Sequence, residues 1–167
     1  MPLYLFKNAT KSKNKQPFQY LTLVIPVKKL TQKKKNILIK IQKEFTECVD
    51  FFLTEACNRN TTSIYKLHKI CYATAKNKFS LSTSMIQTAR DRAIAIQRIF
   101  WARVRKWKKT AQPKINKLLP IHLRQKSYSL FQNSKGTWFL KFPTSPGRKQ
   151  YIYLPLNVRP YICQYLE

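Results

Sequence analysis

The sequence predicts an α+β protein, in which an antiparallel β-barrel or sheet is formed from both ends of the chain and a helical bundle is inserted between them. Two observations predict this fold class. Apolar residues recur at helical spacing through the middle of the chain, from residue 32 to residue 109, whereas a β-rich run precedes them and three short alternating segments follow them. Only two glycines occur among the 167 residues, Gly136 and Gly147, and both lie in predicted turns.

Residues 1–30 are expected to form a basic arm and the first barrel strand. The first 17 residues are basic and polar, which predicts an arm that becomes ordered only on a partner. Residues 18–27 are rich in β-branched and aromatic residues, and they predict a strand that ends at Pro26 because proline is tolerated at the end of a strand.

Residues 31–112 are expected to be helical. Helices are predicted from 32 to about 56, with Thr31 as a cap, from 63 to 78, and from 84 to 109. Ser84 is the predicted N-cap of the third helix, and Gln87 is its predicted partner in a capping box.

The third helix has two predicted faces. The residues expected in the core are Met85, Ala89, Ile96, Phe100, Val104 and Trp107. The residues expected outside the core are Arg90, Ile94, Arg98, Trp101, Arg105 and Lys108. Trp101 lies between Arg98 and Arg105, which are its neighbours on the helix surface. A flat ring beside two cations can stack a base and neutralise its phosphates. The alternative for Trp101 is a second packing face.

Residues 113–167 are expected to form a basic link and the remaining barrel strands. Pro113 and Pro120 exclude a regular helix throughout the link. Three short alternating segments follow, at 128–131, 137–142 and 150–156, and turn signals separate them. This pattern predicts an antiparallel meander.

The charge of the chain points to a polyanionic partner. It has 33 Lys and Arg against 6 Asp and Glu, a net charge of +27, and no acidic residue lies between residues 92 and 166. Nucleic acid is the first candidate, because a compact protein this basic repels itself. No apolar run approaches the roughly 20 residues of a membrane-spanning helix, and the N-terminus has no signal-peptide pattern. We therefore expect a cytoplasmic protein with no membrane partner.

Two further groups of residues have open interpretations. Lys33, Lys34 and Lys35 fall in the first turn of the first helix, where the helix dipole disfavours cations, so they serve either solubility or an anion site. The four cysteines form no C-x-x-C pair, and His68 and His122 are isolated. Buried reduced thiols are therefore favoured over a zinc site, and no cofactor is expected in this chain.

Four stretches carry a family resemblance. They are LTLVIPVKKLTQKKK followed by FTECVDFFL, then MIQTARDRAIAIQRIF, then QPKINKLLPIHLRQKSYSLF and YIYLPL. In this order and spacing they resemble the N-terminal half of the TnpB proteins, the compact RNA-guided nucleases encoded by OrfB-type insertion sequences and related to type V CRISPR effectors. The matching positions of the central stretch are Arg90, Asp91, Ala95 and Phe100.

The resemblance implies a wedge-type β-barrel with a helical recognition lobe, spanning residues 31–112, inserted in it. Guide RNA and target DNA are the implied partners. Ser84 and Gln87 are the implied readers of the short motif that flanks the target. The implied contacts to nucleic acid also include Arg90, Arg98, Trp101, Arg105, Lys108, Lys28, Lys29, Lys33, Lys34 and Lys35.

The chain departs from the family at its end. In the family a RuvC-like nuclease domain with divalent metals and a zinc ribbon follow, whereas this chain stops at Glu167, before that domain. The resemblance therefore implies no catalytic residue here and a separate RuvC-containing chain as a further partner. Three alternatives stay open: a general basic RNA- or DNA-binding protein with no guide, a structural subunit that docks a separate nuclease chain, and a gene remnant with no present function.

Overall fold

The computed structural model describes residues 2–7, 21–107, 110–145 and 150–163. The protein is α+β, as predicted. In chain order the elements are β1 (Pro2–Lys7), β2 (Leu21–Pro26), α1 (Gln32–Asn58), α2 (Ile64–Lys78), α3 (Thr83–Trp107), a 3₁₀ turn (Gln125–Ser127), β3 (Ser129–Gln132), β4 (Trp138–Pro143), β5 (Tyr151–Pro155) and the short α4 (Pro160–Cys163).

The chain forms two compact units. The first, which we call the strand unit, comprises Met1–Thr31, Leu130–Lys141 and Tyr153–Glu167. The second, the helical unit, comprises Gln32–Ser129 and Phe142–Ile152.

Helix α1 supplies more buried apolar residues to the helical unit than either α2 or α3. Its buried residues recur every three or four positions, as the sequence predicts, and they are Ile41, Phe45, Cys48, Val49, Phe52, Leu53 and Ala56. The helix ends where Asn60 adopts a positive φ of 47°, a conformation that asparagine tolerates. The amide of Thr61 then donates to the carbonyl of Ala56 at 3.0 Å, which satisfies one of the last helical carbonyls.

Helix α2 begins at the predicted position. Ser63 is its N-cap, and its hydroxyl accepts from the amide of Lys66 at 3.4 Å. Leu67, Cys71 and Ala75 are its buried residues, one on each turn. This face packs against both α1 and α3.

Helix α3 differs from the sequence prediction at its start and in its buried face. Ser82 caps it, since its hydroxyl accepts from the amide of Met85 at 3.4 Å, so the predicted cap Ser84 lies within the first turn. The buried residues are Met85, Ile86, Thr88, Ala89, Arg90, Ala93, Ile94 and Gln97. The core stripe is therefore rotated relative to the predicted one, and it stops ten residues before the helix does. Trp107, predicted to be buried, is 65% exposed.

In the strand unit, β1 pairs antiparallel with β2, from Pro2 opposite Pro26 to Lys7 opposite Leu21. This differs from the basic arm expected for the first 17 residues, because residues 2–7 form a ladder with β2. The predicted strand residues 18–20 lie outside the described part.

The early part of the chain also pairs with the late part. Val27 forms an antiparallel bridge with Leu156. On either side of it, the amide of Lys28 donates to the carbonyl of Pro155 at 2.9 Å, and the amide of Asn157 donates to the carbonyl of Pro26 at 2.8 Å.

Strands β3, β4 and β5 form an antiparallel sheet in that order, and the sheet is not closed. Gly136, at a φ of 72°, makes the β3–β4 turn, in which the side chain of Asn133 accepts from the amides of Lys135 and Thr137. The second predicted turn, around Gly147, lies outside the described residues.

Candidate nucleic-acid interface

The last part of α3 extends beyond the helical core. We call residues 98–107 the α3 tip, and none of these residues is buried. Its exposed basic residues are Arg98, Arg103, Arg105 and Lys106. Its aromatic residues are Phe100, Trp101 and Trp107. Because the sequence contains no acidic residue between residues 92 and 166, these cations have no carboxylate within their own helix segment.

The α3 tip contains the predicted group of Trp101, Arg98 and Arg105. Arg98 and Arg105 are exposed, and Trp101 is half-buried with its ring edge-on to Phe100 at 5.4 Å between centroids. Arg98 is anchored, because its Nε and Nη2 donate to the carbonyl of Thr62 at 3.3 and 3.2 Å. This bond limits the rotamers of the guanidinium, so less conformational entropy is lost when the side chain meets an anion.

A second ring and cation lie at the end of the tip. The Nζ of Lys106 is 5.1 Å from the centroid of the Trp107 ring, within cation–π range. Trp107 belongs to the exposed surface and not to the core stripe in which the sequence placed it. A ring with an adjacent cation is a surface on which a nucleic-acid base can stack.

Arg90 was predicted to contact nucleic acid, and the structure instead buries it. It is 7% exposed, and its Nε and Nη2 donate to Oδ1 of Asp91 at 3.0 and 2.6 Å. Its Nη1 lies 2.6 Å from Nδ1 of His68, and this nitrogen must accept because arginine only donates. Arg90 is thus a structural cation between α2 and α3, and His68 is a satisfied histidine.

The hydrogen-bond chain continues outward to Gln87. Asp91 Oδ2 accepts from Nη2 of Arg124 at 2.5 Å, and Nη1 of Arg124 donates to Oε1 of Gln87 at 2.8 Å. The sequence pattern did not single out Arg124, because it lies 33 residues from Asp91 and only folding joins them.

Ser84 and Gln87, the implied readers of the flanking motif, line one open cavity of about 700 Å³. The other lining residues are Ser82, Thr83, Arg124, Gln125, Lys126, Ser127 and Pro143. The cavity therefore combines hydroxyl and amide groups with two exposed cations, which are chemical groups that can hydrogen-bond to base edges and to phosphates.

The remaining predicted contacts are distributed over both units. Lys28 and Lys29 are exposed in the strand unit. Lys33 and Lys35 are exposed in the first turn of α1, and Lys34 is half-buried there. Lys108 lies outside the described residues.

The described thiols, Cys48, Cys57 and Cys71, are free and lie in the helical unit. Burial raises the pKa of Cys48 to about 12, with a smaller contribution from the Glu44 carboxylate. Cys57 donates to Oε1 of Gln97 at 3.2 Å, and Cys71 is buried. Burial is also the main cause that raises the pKa of both Cys57 and Cys71. The prediction of buried reduced thiols agrees with the structure for Cys48 and Cys71, whereas Cys57 is only half-buried.

No protein-family model matches the sequence, and no curated protein matches it. Among the described residues, no helix is both long enough and apolar enough to cross a membrane.

Proposed function

We propose that this protein binds nucleic acid through the α3 tip, as the guide-RNA and target-DNA recognition half of a TnpB-like RNA-guided endonuclease. One observation carries the proposal. The tip is an exposed helix end on which Trp101 lies between two exposed arginines, in a protein with a net charge of +27. Arginines neutralise phosphates, and the ring offers a face for a base.

The finer parts of the proposal rest on particular contacts. The bridge between Val27 and Leu156 supports a wedge-type barrel made from both chain ends, with α1, α2 and α3 as the inserted recognition lobe. The cavity beside Ser84 and Gln87 supports a reader of a short flanking motif. With its Oε1 accepting from Arg124, Gln87 offers its amide nitrogen as a donor to a base edge.

We assign no catalytic residue to this chain. Asp91 holds Arg90 and Arg124, Glu55 holds Arg59 at 3.1 Å, and Glu44 accepts from the amide of Ser80. These carboxylates are engaged in structural contacts and do not converge on one point. In the proposal, cleavage belongs to the RuvC-like domain of the TnpB family, because two-metal hydrolysis requires several convergent carboxylates.

Salt dependence of binding tests the role of the α3 tip. The log of the affinity falls with log salt by about 0.9 for each neutralised phosphate on duplex DNA and about 0.7 on single strands. If Arg98 and Arg105 each neutralise one phosphate, the double alanine variant should flatten the slope by about 1.8 on duplex DNA or about 1.4 on single strands. Fluorescence anisotropy with labelled oligonucleotides measures this slope.

The matched control removes the same charge from another helix. Lys69 and Lys76 are exposed on α2 with the same seven-residue separation, so their double alanine variant should leave the slope close to the unaltered one. If the slope of log affinity against log salt is the same for the α3 and α2 double variants, the α3 tip is excluded as the phosphate-binding surface.

A second experiment tests the guided class of protein. The protein is expressed beside its native flanking DNA, and the RNA that co-purifies with it is sequenced. A single structured RNA from the adjacent element is expected. A random mixture of host RNA would instead indicate a general basic binder without a guide.

A further inference from the structure

The sheet of β3, β4 and β5 has one face that is buried and one that is not. In β4 and β5, Leu140 and Leu154 are 1% and 3% exposed and point to the buried side. Since side chains alternate along a strand, their neighbours point to the other side. In the strand unit those neighbours are Phe139, Lys141 and Tyr153, and Phe131 of β3 joins them.

These four residues form one continuous cluster, which we call the aromatic platform. The rings of Phe131 and Phe139 stack at 5.7 Å between centroids with an angle of 17°, and Phe131 meets Tyr153 edge-on at 6.2 Å. The Nζ of Lys141 lies 5.5 Å from the centroid of the Tyr153 ring. All three strands thus contribute a ring to the same surface.

The platform is open to solvent although it is aromatic. Phe131 is 38% exposed and Tyr153 is 39% exposed. Phe139 between them is half-buried, so the three rings form an aromatic cluster that is partly exposed, and exposed apolar clusters mark sites of interaction. The rings also hold one another in place, so a partner that stacks on them loses little additional side-chain entropy.

The chemistry of the platform favours nucleic acid over a protein partner. Lys141 supplies a cation among the rings, and the segment from residue 92 to residue 166 contains no acidic residue. Rings beside cations stack bases and neutralise the backbone, and this works for any base because every base has a π face. In a duplex the base faces are already covered, so only unpaired bases can use such a surface.

We propose that the aromatic platform stacks unpaired bases of a single-stranded nucleic acid. This proposal rests on the proposed function, because it takes nucleic acid as the partner. It adds a second surface, which recognises bases rather than phosphate charge. The α3 tip then supplies mainly salt-dependent affinity, whereas the platform supplies affinity that depends on the presence of bases.

The test compares two probes with the full chain. One is a short labelled oligouridylate, and the other is an abasic ribose–phosphate strand of the same length and charge. Phe131→Leu and Tyr153→Leu should each weaken binding of the oligouridylate by about fivefold or more, as expected when one stacking ring is lost. Neither variant should change binding of the abasic strand.

Two control variants separate stacking from general damage. Tyr153→Phe keeps the ring and should bind both probes as the unaltered protein does. Tyr65→Leu removes a ring that is 75% exposed on α2, and it should also leave both affinities unchanged. Far-UV circular dichroism and thermal unfolding establish that each variant is folded.

Photo-crosslinking tests the same proposal without a variant. An oligonucleotide containing 4-thiouridine is irradiated on the unaltered protein, and mass spectrometry maps the attachment site. Crosslinks on Phe131, Phe139 or Tyr153 are expected. If the protein binds both probes, but the leucine variants keep the preference for bases or the crosslinks lie outside β3–β5, the platform is refuted and the proposed function stands. If the protein binds neither the oligouridylate nor the abasic strand, the proposed function itself is refuted.

Discussion

Asp91→Ala is expected to destabilise the helical unit through Arg90, and the structure sets the size of the effect. The Arg90 side chain is 9% exposed, and Asp91 is its only carboxylate partner among the described residues, with His68 as its other contact. Alanine would leave a buried guanidinium with a neutral ring as its remaining partner. A buried cation without a counter-charge is a large source of instability.

Removing one member of a fully buried ion pair costs about 3–5 kcal/mol. Asp91 is 34% exposed, so water replaces part of the lost interaction, and we expect about 2–3 kcal/mol. In a chain of this size each kcal/mol lowers Tm by about 2–4 °C, which gives a decrease of about 4–12 °C. By contrast, Arg124 is 44% exposed, and Arg124→Ala should cost less than about 1 kcal/mol.

The assay is urea and thermal unfolding followed by tryptophan fluorescence, with bound nucleic acid first removed in high salt. A double-mutant cycle adds Arg90→Met, which removes the buried charge at similar volume. In that background Asp91→Ala should cost at least about 1 kcal/mol less than it does alone. The reasoning is wrong if the two changes are additive, or if Asp91→Ala is no more destabilising than Arg124→Ala.

Three further outcomes are expected. Ser82→Ala should lower the free energy of unfolding by about 0.5–2 kcal/mol, whereas Ser84→Ala should change it little, because Ser82 makes the cap hydrogen bond. Urea unfolding measures both changes, and a larger effect at Ser84 would contradict the assignment of Ser82 as the N-cap. With its pKa of about 12, Cys48 is ionised in about one molecule in ten thousand at about pH 8. Iodoacetamide should therefore leave Cys48 unlabelled until the protein unfolds, and peptide mass mapping detects the labelled residue. Partial burial against Phe45, and secondarily Arg92, lowers the pKa of His122 below 6.5, although the residue is exposed by its surface area. The folded state therefore favours the neutral ring by a small amount, and this stability is lost as the pH falls through that lower value. Unfolding experiments at several pH values should therefore show a smaller acid loss in His122→Gln, and equal losses would exclude His122 as a source of acid sensitivity.

Much of the local structure follows from the sequence alone. Helix periodicity predicted α1 and α2 to within about two residues of their ends, because apolar spacing and caps are properties of neighbouring residues. The alternating segments likewise predicted β3, β4 and β5. The arrangement of Trp101 between Arg98 and Arg105 was predictable for the same reason, since residues three and four apart are always neighbours on a helix.

Tertiary contacts decided what local spacing could not. The buried stripe of α3 includes Arg90, because Asp91 beside it and His68 on α2 both contact its guanidinium, and the helical wheel of α3 does not contain His68. The stripe ends at Gln97, which leaves the α3 tip exposed. Spacing along one helix gives the faces of that helix, but it does not give the length over which other helices cover it.

The aromatic platform shows the same division in the sheet. The sequence determined that Phe131, Phe139 and Tyr153 lie on three different strands. Only the pairing order and register of those strands brought the three rings together. Side chains on one strand point to both faces, and a shift of one residue would have separated these rings. Charge and periodicity follow directly from the order of the residues, whereas a surface made of distant segments forms only when those segments pack together.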